Sequence, residues 1–167
     1  MGRRVMKLYL IVTFPIGAAV LAHAVAAADL IESSELDLKP RKALPQQSAT
    51  IHQEGYGNDA AILQQGGHNN ALVAQHGIDS HAVVSQIGRG HGARVIQSGA
   101  QLEASILQYG QAHDASIVQS GYGKEAAIVQ HGISGSAGIH QLGNGQGNPI
   151  TVTQFSRGRA AVQVYQY

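Results

Sequence analysis

The chain has 167 residues, of which 44% are hydrophobic, 13% charged and 5% aromatic, with 21 Gly, 18 Gln, no Cys and no Trp, and a formal charge of +1. Disulfides and thiolate metal sites are excluded, and the large aliphatic-aromatic core of an ordinary enzyme is missing. The apolar content is too high for a charged disordered chain, the charge makes no case for nucleic-acid binding, and abundant Gly, Gln and Ala with few charges point to a repetitive or fibrous protein.

Residues 1–28 have the layout of a secretory signal peptide. Arg3, Arg4 and Lys7 form a basic start, an apolar stretch runs from Leu8 to about Ala22, and overlapping A-x-A patterns follow up to Ala28. A retained membrane helix is the competing reading, since the run is just long enough to span. Pro15, Gly17 and the small-residue tail favour cleavage, after Ala28 first and after Ala26 or Ala24 as alternatives. Cleavage leaves 8 basic against 10 acidic side chains, so the mature charge is about −2 and the apparent basicity belongs to the signal. Residues 29–48 carry acidic and then basic side chains interrupted by Pro40 and Pro45. They are expected to be an extended linker or a secretion-targeting segment, since proline stops any helix there.

From residue 49 onward one period of 11 residues governs the chain. Alanine recurs from Ala49 to Ala137 in nine units without an insertion. Two positions later stand Ile51, Ile62, Val73, Val84, Val95, Ile106, Ile117, Ile128 and Ile139. Two further on stand Gln53, Gln64, Gln75, Gln86, Gln97, Gln108, Gln119, Gln130 and Gln141. Two further still stand Gly55, Gly66, Gly77, Gly88, Gly99, Gly110, Gly121, Gly132 and Gly143. Two looser units close the chain, Ile150-x-Val152-x-Gln154 and Val162-x-Val164-x-Gln166. A helix also accommodates 11 residues in three turns. A Gly in every unit would cost such a helix roughly 1 kcal/mol each time, and fixed positions two apart are strand alternation.

Each unit is therefore predicted to be a strand of about five residues and a Gly-rich turn of about six. Turns that reverse the chain place alternate units in two facing sheets, so one coil takes two units, or 22 residues. The expected fold is all-β: a flattened two-sheet β-solenoid of the cross-β kind over residues 49–167. Eleven strands give between five and six rungs at about 4.8 Å each. Ala and Ile/Val form a thin dry core, and Gln forms an amide ladder that satisfies groups whose unpaired burial would cost a few kcal/mol. Both ends present unpaired strand edges without a long charged cap, which predicts end-to-end stacking into a fibre. Leu63, Ile96, Leu107, Val118 and Val129 make the outward fourth position often apolar.

The A-x-I/V-x-Q-x-G array over 49–154, looser to 167, resembles the curlin family, the subunits of curli-type amyloid fibres on bacterial surfaces. It is most similar to the minor, nucleating subunit, in which this unit recurs in almost every strand. Residues 156–167, with Arg157 and Arg159, resemble that subunit's degenerate basic repeat linked to surface attachment, while the closing Gln166-Tyr167 is similar to the major subunit. The resemblance implies a secreted structural subunit of an extracellular, cell-surface fibre that nucleates polymerisation, anchors fibres and supports adhesion and biofilm matrix. Its implied partners are the major curlin subunit, copies of itself, the outer-membrane curli secretion machinery and the cell surface, with no nucleic acid and no small-molecule substrate. The alternatives are a major fibre subunit and a monomeric β-solenoid binding module. For the latter, only Thr151 and Thr153 offer a regular outward polar pair. Two departures stand out. The family often has Asn three residues after the motif Gly, and only Asn58 and Asn69 keep it, so the turn ladders are expected to be weaker. A two-residue insertion with Pro149 also makes the step from Ala137 to Ile150 13 residues long.

No catalytic, cofactor or metal site emerges from the remaining residues. Eight His lie in the repeat, and His91 and His113, being 22 apart, should be neighbours on successive rungs. They are expected to be exposed turn residues, because zinc needs three or four ligands and their column offers no third. Stacked His should repel once protonated, below about pH 6.5, and slow assembly in acid. Glu54, Asp59, Asp79, Glu103, Asp114 and Glu125 are scattered near turns and form no acid/base pair. A parallel-β-helix enzyme is disfavoured for want of a site.

Overall fold

The computed structural model describes residues 8–12 and 46–167. Except for Leu8–Val12 and residues 46–48, the signal segment and the linker lie outside the described residues. The elements are β1 (Leu8–Val12), β2 (Ser48–Tyr56), β3 (Asp59–Gly67), β4 (Asn70–Ile78), β5 (His81–Arg89), β6 (Gly92–Ala100), β7 (Glu103–Gln111), β8 (Asp114–Tyr122), β9 (Glu125–Gln141) and β10 (Ile150–Gln166). All are strands.

Each strand of the repeat pairs in parallel with the strand two units away, and the register is the one the period demands. Ala49 lies opposite Ala71, Ile51 opposite Val73, Gln53 opposite Gln75 and Gly55 opposite Gly77. The same 22-residue step joins β3 to β5, β4 to β6, β5 to β7, β6 to β8 and β7 to β9. The result is a parallel β-solenoid of about five and a half rungs. One column holds β2, β4, β6, β8 and the second halves of β9 and β10, which makes six strand segments. The facing column holds β3, β5, β7 and the first halves of β9 and β10, which makes five. β9 and β10 each pass from one column to the other, so the hydrogen-bonded order is continuous through β9. β1 pairs antiparallel with β3, Leu10 opposite Ile62.

Strands of nine residues replace the expected five, with two residues between most of them. The physical cause is the stacking itself. Identical turns lie over one another, so the ladder continues past the Gln and through the Gly, and even the turn tips bond from rung to rung. The backbone N–H groups of Asp79, Gln101 and Ala112 donate to the carbonyls of Tyr56, Ile78 and Arg89, each at 2.9 Å. The turn ladders therefore persist where Asn is absent.

The core is one cluster of the Ala and Ile/Val columns from Ala49 to Val152, with Ile150 and Val164 packed against it. Its thinness explains the shortage of aromatics, since two sheets this close leave no room for large rings. At the outward fourth position Leu63, Leu107, Val118 and Val129 are half-buried and Ile96 is exposed. The insertion after Gln141 forms a short loop, where Gln146 bridges to Tyr122 and the core resumes at Ile150.

Candidate self-assembly interface

The Gln column is the most ordered polar feature of the molecule. Gln64, Gln75, Gln86, Gln97, Gln108, Gln119, Gln130 and Gln141 are all buried. Each amide donates to the next rung's amide oxygen: Gln64 Nε2 to Gln86 Oε1 at 2.8 Å, Gln86 to Gln108 at 2.9 Å and Gln108 to Gln130 at 3.0 Å on one side. On the other side Gln53 donates to Gln75 at 2.7 Å, Gln75 to Gln97 at 2.8 Å and Gln97 to Gln119 at 2.9 Å. The two irregular units stay in line, since Gln130 donates to Gln154 at 2.8 Å and Gln141 to Gln166 at 2.9 Å.

The same nitrogens do a second task that spacing alone did not disclose. Gln64 Nε2 also donates to the Ser48 carbonyl at 2.8 Å, and Gln108 Nε2 to the Gly92 carbonyl at 2.8 Å, both on the facing column. Gln75, Gln86, Gln97, Gln119 and Gln130 bond the equivalent carbonyls. Each Gln thus ties one sheet to the other as well as one rung to the next. Both amide hydrogens find acceptors, which removes the penalty of burying an amide.

The nine motif Gly have φ between 105° and 142°. At all but Gly143 an added Cβ would overlap the backbone carbonyl oxygen one rung along. Gly is therefore needed here for positive φ and for close backbone approach together.

The position three residues after the motif Gly turns inward, and it corrects the expectation of exposed histidines. His91 and His113 are 1% exposed. Their rings are stacked 5.3 Å apart at an interplanar angle of 2°. Asn69 shows why they fit. Its Oδ1 accepts from the His91 backbone N–H at 3.1 Å, and its Nδ2 donates to the Gly88 carbonyl at 3.2 Å. His91 Nδ1 in turn accepts from the His113 N–H at 3.3 Å, and His113 Nδ1 from the Gly135 N–H at 3.0 Å. His91 Nε2 lies 3.2 Å from the Ile87 carbonyl and His113 Nε2 3.2 Å from that of Tyr109. An acceptor at Nδ1 and a carbonyl at Nε2 select the neutral tautomer with its proton on Nε2. Burial, reinforced by the neighbouring His113, holds His91 below the usual imidazole value despite the carbonyl bonds that oppose it. In the facing column Lys124 is also buried and donates to the Gly145 carbonyl at 2.7 Å in the inserted loop.

On the surface Glu54 lies between His52 and His76, 3.0 Å from each. Hydrogen bonds from His52 and then His76 hold its carboxyl below the usual value. Exposed rings continue the ladder outside: Tyr109 lies 5.9 Å from His131, which stacks on Phe155 at 5.4 Å, and His140 stacks on Tyr165 at 5.0 Å.

The ends are where the ladder stops. At the N-terminal end Gln53 is only half-buried. At the C-terminal end Val164 and Gln166 are half-buried and Val162 is exposed. The strand segments 150–154 and 162–166 pair only inward, with β9. The family description Curlin associated repeat matches residues 47–77, 57–88 and 92–121. No curated protein and no solved structure matches the chain.

Proposed function

The chain belongs to the curlin family, and from that premise we propose that it is a secreted subunit of an extracellular curli-type amyloid, of the minor kind that nucleates polymerisation and anchors fibres at the cell surface. The observation that carries the self-assembly reading is a solenoid whose core columns run to both ends, where among the described residues only β1 lies across an edge, that of β3. An open parallel edge is a template: a chain settling on it finds backbone partners, an apolar column and a Gln ladder already ordered, so less of the entropy of forming a first rung opposes it.

The minor role is supported by the Ala-led unit in all nine regular repeats and by the basic closing segment with Arg157 and Arg159. Export through the signal of residues 1–28 and an outer-membrane secretion machinery would deliver the chain to the surface. There it would act with copies of itself and with the major subunit, in adhesion and biofilm matrix. With the signal removed, β1 would leave β3 and free that edge as well.

Purified mature chain is expected to form dye-positive fibres with a meridional reflection near 4.8 Å. A monomer that stays soluble at high concentration would overturn the reading in favour of a monomeric binding module. Co-expression with a major curlin subunit, asking which polymerises alone on cells, separates nucleator from bulk subunit.

A further inference from the structure

The two ends of the stack are chemically different. In both Gln ladders the amide nitrogen donates toward the C-terminal rung. The N-terminal end is therefore left with acceptors. Gln53 Oε1 and Gln64 Oε1 are buried with no hydrogen-bond partner among the described residues, although Gln64 itself is 1% exposed. At the C-terminal end the ladders finish on the amides of Gln154 and Gln166, whose oxygens are already taken by Gln130 and Gln141. A donor end fits an acceptor end. Two N-terminal ends brought together would set buried oxygen against buried oxygen.

The count of strands adds a second constraint. Six segments stand in one column and five in the other, and the first and last, β2 and residues 162–166, belong to the same column. A copy added in the same orientation would leave the shorter column one strand short at every junction, with two unpaired edges facing a gap. A copy turned by half a revolution about the stack axis leaves none. Its β2 then lies on residues 150–154 and its β3 on residues 162–166. Gln154 meets the next copy's Gln53, Gln166 meets the next copy's Gln64, and Val152 and Val164 continue into Ile51 and Ile62.

We propose that copies of this chain assemble head to tail along a two-fold screw axis, each turned half a revolution from the last. The inference rests on the self-assembly reading above and adds polarity and symmetry to it. Eleven segments at about 4.8 Å per two-segment rung give a rise of about 26 Å per copy and a repeat of about 53 Å, beyond the slow twist of the sheets. A consequence concerns the fibre surface. At the outward positions one, three and five residues after each motif start, the five-strand column holds no Asp, Glu, Lys or Arg, its charges standing at the strand ends (Asp59, Arg89, Glu103, Glu125 and Arg157), whereas the six-strand column includes Glu54 and Arg94 there. The half-turn alternates these two surfaces along each side of the fibre.

Val83 marks the five-strand surface, being 51% exposed, and the chain has no Cys to compete with a label. Val83→Cys in the full-length chain, with fibres collected from expressing cells and labelled with thiol-reactive gold, is expected to show particles alternating between the two sides, each side repeating at about 53 Å. Particles on one side at about 26 Å would overturn the screw axis, and irregular spacing from mixed polarity would overturn head-to-tail growth. Helical reconstruction of unlabelled fibres checks the result independently of the substitution: a half-turn per copy added to the slow twist of the sheets supports the proposal, and a rotation by that twist alone overturns it. Absence of fibres from the unsubstituted chain would instead overturn the self-assembly reading, and this proposal with it.

Discussion

His91 and Asn69 occupy the same place in successive rungs, and their side chains each accept the next rung's backbone N–H. The imidazole does this only while Nδ1 is unprotonated. A proton there would set a donor against a donor and place a charge on a buried ring 5.3 Å from a second one. His91 is held below its ordinary value by burial. The unfolded chain therefore takes up a proton before the folded one does, and the contribution of His91 is complete above about pH 6.5 and falls as pH drops below it. Glu54 has the opposite ordering. Its folded carboxyl is held down, so its contribution is present above the ordinary carboxylate value and is lost only as pH falls through the folded one. Between pH 7.5 and 5 the histidine effect should dominate. Assembly followed by dye fluorescence is expected to be slower at pH 5, and His91→Asn with His113→Asn should abolish the difference, because Asn keeps both bonds without titrating. Undiminished pH dependence in the double variant would refute this account.

At the scale of the strand and its turn, a second positive-φ position follows the motif Gly by two residues. It is filled by Gly57, Gly90 and Gly123, but also by His68, Asp79, Gln101, Ala112 and Ser134, with φ between 50° and 59° in the latter five. A non-Gly residue there costs roughly 1–2 kcal/mol, so Ala112→Gly should stabilise the protein by about 1 kcal/mol, less the greater entropy Gly has to lose. Gly90→Ala should do the reverse, since its added Cβ would meet nothing nearer than the Ala112 backbone at 4.0 Å and the conformational cost stands alone. Denaturant midpoints of the two variants moving in the same direction would contradict the argument. This column illustrates what the sequence leaves illegible. Columns filled by one residue type, such as Gln53 to Gln141, are legible from spacing because each stacks on its own kind. The turn columns mix Asn, Ser, His, Leu and Lys, because what they share is a backbone conformation or an inward position. His91 and His113 were expected outside for that reason: composition marks turns as polar, but the pleat decides which turn residue faces in. The cross-column bonds of the Gln amides were equally hidden, since they pair residues 16 apart, off the 11-residue period.

For the whole molecule the solenoid is a one-dimensional stack, in which each rung contacts only its neighbours. Removing an end should subtract that end's contribution and leave the remainder folded. Deletion of residues 150–167 takes away one segment from each column and exposes the amides of Gln130 and Gln141 as the new donors, so the ladder keeps its polarity. The excised segment is also the least regular part of the stack. Its register slips between Arg157 and Ala160, and Phe155 is 78% exposed. Two exposed basic side chains, Arg157 and Arg159, flank Gly158, and Arg159 falls in the slip with no register partner in β9. The segment's exposed turn around Arg157 and Arg159 interrupts the regular rung and offers a distinct surface for contact with something other than another rung. The truncated chain is therefore expected to retain its β-solenoid signature by circular dichroism, while fibres shed into the medium increase at the expense of cell-bound ones and seeding of fresh monomer declines. Normal seeding and anchoring by the truncated chain would place those tasks elsewhere in the stack, with the open edge of β2, and that of β3 once β1 is removed, the next to test by the same fractionation.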